Sequence, residues 1–327
     1  MSHKIKGEPS SPLVPVSWGD VGLSAFKSFV DTKEILSIDS SDMNPAYWGL
    51  LAEKIGENYD KYDGFVILHG TDTMAYTACA LSFMLENLKK PVVITGAQLP
   101  IAKQGSDAPQ NLAAALAVAA AENIPVIPEV SILFGNLLLR GNRARKMNTS
   151  GFSVFDSPNY EPLARIVGEP PGFVLSQITP QRKPTHEPLQ ITDFRSFETN
   201  VLSLDIFPGM SNVMLKNILA LEGLKGVVIK TYGAGNAPTV PNFLNEIENA
   251  VNKGIVIVNV TQCPYGAVDM GLYGASVGLL QRGVISGLDM SPEAALVKLM
   301  FLLGQGYAPE SVKEKMQLDL RGEVTNN

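Results

Sequence analysis

Short apolar runs rich in β-branched residues alternate with helical patterns through most of this chain. In the first half the pattern predicts strands at 64–68, 91–95 and 126–134, and helices at 74–88 and 111–121. In the second half it predicts strands at 201–206, 226–231 and 254–260, and helices at 211–221, 240–253 and 292–303. Because strand, helix and strand follow one another, we expect an α/β fold with a parallel sheet covered by helices on both faces.

The length and the distribution of proline indicate two domains. A chain of 327 residues is long enough for about two domains. The alternating pattern stops in residues 154–200, which are rich in proline and are typical of an irregular connection. We therefore predict an N-terminal domain at 1–180, a linker at 181–199 and a smaller α/β domain at 200–327.

The composition is that of a globular protein and argues against nucleic acid as the main partner. Hydrophobic residues make up 45% of the chain and charged residues 18%. The net charge is −6, and no concentrated basic face is visible that could bind a phosphate backbone. We also expect no membrane span, since no apolar run reaches the roughly 18 residues that a membrane helix requires.

Cysteine usage and the first residues of the chain favour the cytoplasm. Cys79 and Cys263 are too few for a disulfide framework, which favours a reducing compartment. Residues 1–6 have no apolar segment behind their positive charge, as a secretory signal would. The histidines are not spaced as metal ligands, so we expect no metal.

The most informative polar cluster is residues 69–73, which separate a predicted strand from a predicted helix. Thr71 can supply a hydroxyl nucleophile, and Asp72 can accept a proton or hold an ammonium group. Ligands of open α/β sheets bind at the carboxyl ends of strands, where this cluster lies. The alternative is a helix cap, because threonine and aspartate are also favoured there. We interpret His69 as a hydrogen-bonded residue at the strand end rather than a general base.

A second cluster, Asp39, Ser40 and Ser41, precedes the helix predicted to start at Pro45. Its hydroxyl and carboxylate groups can bind a polar zwitterion. The alternative is again a capping segment, which Pro45 as the first helical residue favours.

Residues 140–146 are basic and follow a predicted strand. If Lys146 is buried beside Thr71 and Asp72, it can deprotonate a hydroxyl, because burial lowers the pKa of a lysine. The alternative is a solvated basic loop.

The glycine-containing segment at 233–238 partly matches a dinucleotide-binding motif. Its third glycine is replaced by Pro238, so it is only weak support for an NAD-dependent dehydrogenase.

Taken together, these segments resemble the cytosolic, bacterial type I L-asparaginases from about residue 35 to the C-terminus. The matching stretches are 39–43, 62–76, 81–88, 140–143, 232–238, 260–263 and 320–323. The block at 63–88 is highly specific for that family.

This resemblance implies a fold and a reaction. The fold would have a larger N-terminal, flavodoxin-like domain with a parallel sheet and a smaller C-terminal, Rossmann-like α/β domain. The reaction would be hydrolysis of L-asparagine to L-aspartate and ammonia, without cofactor or metal. The sites would lie between subunits of a homodimer or homotetramer, with Asn236 as an inter-subunit contact.

The resemblance also implies roles for individual residues. Thr71, Asp72 and Lys146 would form a Thr-Asp-Lys triad. Asp39, Ser40 and Ser41 would bind the α-amino and α-carboxylate groups of the substrate, together with Thr71 and Asp72. A second, allosteric asparagine site would involve Lys230, Thr261, Gln262 and Cys263. Lys230 stands where the family has arginine, so the bidentate fork of a guanidinium is lost.

One family motif has no counterpart before Asp39. Family members begin with a strand that ends in Thr-Gly-Gly-Thr-Ile, whose second threonine is the usual acyl-forming nucleophile. The first threonine in this sequence is Thr32. Either a stretch of about 10 to 15 residues, roughly one strand and a turn, does not stand in this sequence, or the chain is a truncated relative that binds asparagine or aspartate without hydrolysis.

Overall fold

The computed structural model describes residues 29–121, 125–168, 174–176, 186–271 and 274–325. These residues form two compact units, of which the first runs up to Ser157 and from Glu161 to Ile191. The second comprises Pro158–Tyr160 and the chain from Thr192 onward. The predicted domain bounds stay a prediction, since residues 1–28 of the N-terminal domain and 181–185 of the linker lie outside the described residues.

The first unit combines helices with short strands. Its helices are a 3₁₀ helix at Ser40–Asp42, α1 at Pro45–Asn58, α2 at Met74–Met84 and α3 at Ala108–Ala120. Its strands are β1 at Phe65–Leu68, β2 at Leu85–Glu86, β3 at Val92–Thr95, β4 at Val130–Phe134, β5 at Leu137–Arg140, β6 at Arg145–Lys146, β7 at Phe155–Asp156, β8 at Ala164–Val167, β9 at Val174–Ser176 and β10 at Gln190–Ile191.

The main sheet of the first unit contains the predicted parallel strands. Within the described residues its order is β1-β3-β4-β5-β8-β9. Strands β1, β3 and β4 are parallel as predicted, and the pairing of Leu68 with Thr95 brings the carboxyl ends of β1 and β3 together. Strands β5, β8 and β9 continue the sheet in antiparallel orientation, which the sequence pattern did not predict.

Three predictions for this unit need correction. The helix predicted at 74–88 ends at Met84, because β2 pairs with β10 and Asn87 adopts a left-handed φ of 63°. The strand predicted at 126–134 starts only at Val130, since Pro128 has no N–H for a sheet ladder. β1, predicted as part of a sheet covered on both faces, is only half-buried, because among the described residues it lies at the edge of the sheet.

The second unit is a three-layer arrangement of the kind its sequence pattern predicts. Its helices are a 3₁₀ helix at Phe194–Ser196, α4 at Asn212–Leu219, α5 at Pro241–Asn252, α6 at Gly274–Leu280, α7 at Pro292–Gly304 and α8 at Pro309–Met316. Its strands are β11 at Val201–Asp205, β12 at Gly226–Thr231, β13 at Val256–Thr261 and β14 at Ile285–Ser286. They form a sheet in the order β11-β12-β13-β14 in which every pair is parallel, as predicted.

Apolar side chains and helices pack against this second sheet. Buried side chains of β12, β13, α4 and α5 form one apolar cluster, which includes Ile229, Ile257, Leu215 and Phe243. Helix α7 packs against β11, β12 and β13. In the part of the chain that the structure describes, no helix is long and apolar enough to cross a membrane.

Candidate active site

The turn between β1 and α2 carries the strongest candidate residues. Thr73 occupies the N-cap position of α2 but makes no side-chain capping bond. Its hydroxyl donates instead to the carbonyl oxygen of Ser40 at 2.6 Å. The side chains of Thr71 and Asp72 therefore do not serve as the cap that the alternative interpretation required.

Lys146 meets these two side chains directly. Its Nζ lies 2.8 Å from Thr71 Oγ1 and 2.6 Å from Asp72 Oδ1. The lysine side chain is 20% exposed, whereas that of Asp72 is 65% exposed. The side chain of Lys146 projects from β6, and Lys146 pairs with Phe155 on the antiparallel strand β7. The structure thus brings the three predicted triad residues into one hydrogen-bonded group.

The basic segment that leads to Lys146 is not a solvated loop. Arg140, Asn142 and Arg143 are all buried. The guanidinium of Arg140 binds the carboxylate of Glu129 in a bidentate pair, with N–O distances of 2.5 and 2.9 Å. Burying such charges would cost much free energy if they were not paired and hydrogen-bonded. The segment therefore forms a fixed base from which β6 places Lys146.

The predicted substrate-binding segment lies against the same turn. A Cβ atom added to Gly70 would lie 2.6 Å from Ser40 Oγ, so the two chains approach closely there. Asp39 caps its own short helix, accepting from Ser41 N at 3.0 Å and from Ser41 Oγ at 2.7 Å. Asp39 thus caps this short 3₁₀ helix, whereas the cap of α1 is Asn44, whose side chain accepts from Ala46 N at 3.0 Å. The role of Asp39 in substrate binding stays a prediction.

His69 is a hydrogen-bonded residue of the turn, as expected. Its Nδ1 lies 2.6 Å from the carbonyl oxygen of Gly70, and its Nε2 lies 2.9 Å from Thr77 Oγ1. Thr77 Oγ1 also accepts from the indole N–H of Trp48 at 3.1 Å. A carbonyl only accepts, so the proton must be on Nδ1. Burial lowers the pKa of His69, and the Gly70 carbonyl opposes part of that shift.

The loop after β3 lies against this turn, which the sequence pattern did not predict. A Cβ atom on Gly96 would lie 2.3 Å from the carbonyl oxygen of His69, so this loop touches the turn that carries Thr71. The Asn111 amide donates to the carbonyl oxygen of Gly96 at 3.0 Å. The signal was present, because polar residues that follow a predicted parallel strand are candidates by their position alone.

The residues predicted to form a second site meet in the second unit. Lys230 lies near the carboxyl end of β12 and Thr261 is the last residue of β13, while Gln262 and Cys263 follow β13 directly. The Gln262 amide donates to the carbonyl oxygens of Ile206 and Lys230, at 2.7 and 2.9 Å. Lys230 Nζ pairs with Asp205 at 2.5 Å. Thr261 Oγ1 accepts from the backbone N–H of Cys263 at 3.0 Å. A ligand there would meet groups that already have partners.

The glycine-containing turn after β12 does not continue directly into a helix. Two backbone hydrogen bonds between Tyr232 and Asn236 close it, at 2.9 and 2.8 Å. Helix α5 begins only at Pro241. A dinucleotide motif requires the glycine turn to open a helix whose N-terminus faces the phosphates, so the geometry gives that interpretation no support.

Metal binding has no candidate residues in the described ranges. Within residues 29–121, 125–168, 186–271 and 274–325, no group of three His, Cys, Asp or Glu side chains lies together as metal ligands would. The expectation of a site without metal or cofactor stays a prediction.

Two family models match the chain. Residues 20–177 match the model described as Asparaginase, N-terminal. Residues 200–316 match the model described as Glutaminase/Asparaginase C-terminal domain.

Individual relatives agree with the family models. The chain is 45% identical over 300 residues to L-asparaginase 1 of Escherichia coli, covering 88% of this chain and 82% of that protein. The crystal structure of L-asparaginase I from Vibrio cholerae is similar with a TM-score of 0.79 and 47% identity, covering 88% of this chain and 84% of that one. The thermostable L-asparaginase from Thermococcus kodakarensis has a TM-score of 0.88 and 32% identity, covering 100% of this chain and 96% of that one.

Proposed function

The chain belongs to the asparaginase family, and we propose that it hydrolyses L-asparagine to L-aspartate and ammonia. The observation that carries this proposal is the contact of Lys146 Nζ with both Thr71 Oγ1 and Asp72 Oδ1. A nucleophile, a base and a group that orients the base are the parts that acyl transfer from an amide requires.

The proposed reaction starts with proton transfer. Lys146 takes a proton from the hydroxyl of Thr71 or from a water that this hydroxyl orders. The oxygen attacks the carboxamide carbon of the substrate, and the C–N bond then breaks. Lys146 returns the proton to the leaving nitrogen, which departs as ammonia. If Thr71 is the attacking group, a water molecule hydrolyses the resulting ester and releases aspartate.

Asp72 is proposed to have two roles. Its carboxylate fixes the position of the Lys146 amine at 2.6 Å. Because its side chain is 65% exposed, it also presents an oxygen to which the substrate ammonium can bind. Asp39, Ser40 and Ser41 would bind the remaining polar groups of the amino acid. The approach of Ser40 to Gly70 supports this assignment, since it places the two segments in contact.

The second site and the assembly are further parts of the proposal. Lys230, Thr261, Gln262 and Cys263 would bind a second asparagine, with Lys230 exchanging its ion pair with Asp205 for the ligand carboxylate. We propose a homodimer or homotetramer in the cytoplasm. Asn236 would lie at the contact between subunits.

Release of ammonia and L-aspartate from L-asparagine by the purified chain tests the proposed reaction. We expect equal amounts of both products, and a large loss of turnover in Thr71→Ala. Thr239→Ala, at an exposed position in the second unit, is the matched control and should keep full activity. Calorimetric binding of asparagine with no turnover would instead support a binding protein without hydrolase activity.

A further inference from the structure

The loop at residues 96–99 is held rigidly at the carboxyl end of β3. Asp107 accepts from the backbone N–H of Gln98 with both carboxylate oxygens, at 3.0 and 2.9 Å, and from that of Leu99 at 3.0 Å. Asn111, which is buried, donates to Asp107 and to the carbonyl oxygen of Gly96, both at 3.0 Å. These bonds leave the loop little freedom, so the side chain of Gln98 starts from a fixed backbone.

The carboxamide of Gln98 is fixed in orientation as well. Its Nε2 donates to the carbonyl oxygen of Thr149 at 2.8 Å. A carbonyl can only accept, so this contact assigns nitrogen to that side of the amide and oxygen to the other. Oε1 is buried and has no hydrogen-bond partner among the described residues. A buried acceptor without a donor is costly, and a ligand that donates a hydrogen bond to it would remove that cost.

Gln98 joins the two segments that carry the proposed triad. On one side, its loop touches the turn of Thr71, because β1 and β3 end together and Gly96 lies against the backbone of His69. On the other side, Thr149 follows Lys146 by three residues. The loop of Gln98 therefore bridges the turn that carries Thr71 and the segment that follows Lys146.

We propose that Gln98 Oε1 accepts a hydrogen bond from the side-chain carboxamide N–H of the substrate and thereby selects amide over acid. This inference rests on the proposed asparaginase function. Asparagine presents a donor nitrogen at that position. The carboxylate of aspartate presents only acceptors, whose lone pairs would face those of Oε1. The hydrogen bond is lost when ammonia leaves, which favours release of the product.

Two substitutions of Gln98 are expected to shift the preference between asparagine and aspartate in opposite directions. Gln98→Met keeps the length of the side chain and removes both polar atoms, so we expect the KM for L-asparagine to rise about tenfold, as for one lost hydrogen bond. The Kd for L-aspartate should change less than about twofold. Gln98→Glu keeps an acceptor and adds a negative charge, so it should weaken aspartate binding more than asparagine binding.

The ratio of the aspartate Kd to the asparagine KM is the decisive readout. It should fall in Gln98→Met and rise in Gln98→Glu, with thermal unfolding measured for both. If Gln98 only holds the loop of Thr149 in place, the binding of both ligands will weaken by a similar factor in each variant, and the proposal is overturned. Unchanged constants in both variants would overturn it as well.

Controls separate this inference from the function on which it rests. Gln305→Met, at an exposed position of the second unit, should leave both constants unchanged. If the parent chain neither hydrolyses nor binds asparagine, the proposed function fails. If the parent is active but the ratio moves in one direction in both variants, only the role of Gln98 fails.

Discussion

Replacing Lys146 with methionine separates the chemistry of its amine from the packing of its stem. Methionine has nearly the same length and is apolar, so the partly buried stem can still pack. What disappears is Nζ, with its contacts of 2.8 Å to Thr71 and 2.6 Å to Asp72. The variant therefore tests whether the contact is catalytic or only structural.

The expected magnitudes for activity and stability differ widely. Loss of a general base lowers kcat by about 10²–10⁴-fold, or roughly 2.7–5.5 kcal/mol of transition-state stabilisation. The ion pair itself contributes little to stability, because Asp72 is 65% exposed. Exposed pairs are worth about 0–1 kcal/mol, so the free energy of unfolding should change by no more than that.

The assay combines ammonia release with urea unfolding for a double-mutant cycle. If Lys146 acts through the Thr71 hydroxyl, the double variant Thr71→Ala, Lys146→Met should be no slower than the slower single variant. Lys225→Met, at an exposed position, is the control and should be as active as the parent. A kcat within threefold of the parent in Lys146→Met would refute the role of the lysine. Losses that multiply in the double variant would refute its action through Thr71.

Three further predictions concern the scaffold of the two units. Gly96→Ala should lower the free energy of unfolding, measured by urea denaturation, by about 2–3 kcal/mol, because the added Cβ would lie 2.3 Å from the His69 carbonyl oxygen. An unchanged denaturation midpoint would show that the loop can move to make room for the methyl group. Since the pKa of His69 is lowered from its ordinary 6.5, the unfolded chain binds that proton first and stability should fall below about pH 6.5. This dependence, followed by urea unfolding between pH 7.5 and 5.5, should be absent in His69→Gln. Glu323→Gln should cost about 3–5 kcal/mol in the same assay, because it leaves the fully buried Lys298 without its carboxylate. Glu310→Gln removes a carboxylate that is 81% exposed and should cost under about 1 kcal/mol, so equal losses in the two variants would contradict the argument.

The buried pair behind the last prediction also fixes the C-terminal segment. Burial alone would raise the pKa of Glu323, but the Lys298 ammonium and the backbone N–H groups of Leu320 and Arg321 hold it below its ordinary 4.5. A carboxyl with a lowered pKa stabilises the fold at neutral pH, and this stabilisation is lost as the pH falls below about 4.5. Lys298 further donates to the carbonyl oxygen of Met316 at 3.0 Å, so removal of Glu323 does not leave it without any acceptor.

Local sequence predicted the second unit well, because its strands are short apolar runs. The bounds of β12, at Gly226–Thr231, are those predicted from the run of β-branched residues. The first unit was harder. Leu137–Arg140 forms β5 only because it pairs in antiparallel orientation with β4 and β8, and no periodicity marks such a partner. The end of α2 could not be predicted either, because Leu85 and Glu86 are compatible with a helix and form a strand only by pairing with β10.

The candidate site shows the same division between local pattern and tertiary context. Thr71 and Asp72 could be found because they follow a predicted strand at the edge where ligands bind. Asp107 and Asn111 could not, since one lies in a loop and the other within an alanine-rich helix. Their role emerges only when the fold brings Gly96 and Gln98 against them.

The turn at residues 69–73 shows why residue type alone left two interpretations open. Threonine and aspartate before a helix suit a cap, and the cap position is indeed occupied by Thr73. Yet Thr73 bonds to Ser40, while the ring of His69 is held between Gly70 and Thr77, so the turn keeps its shape without a capping side chain. The side chains of Thr71 and Asp72 can therefore bind Lys146, which lies 75 residues beyond Thr71 along the chain. Chemistry at this turn thus depends on a contact that no local pattern encodes, which is why the Lys146 cycle is its most direct test.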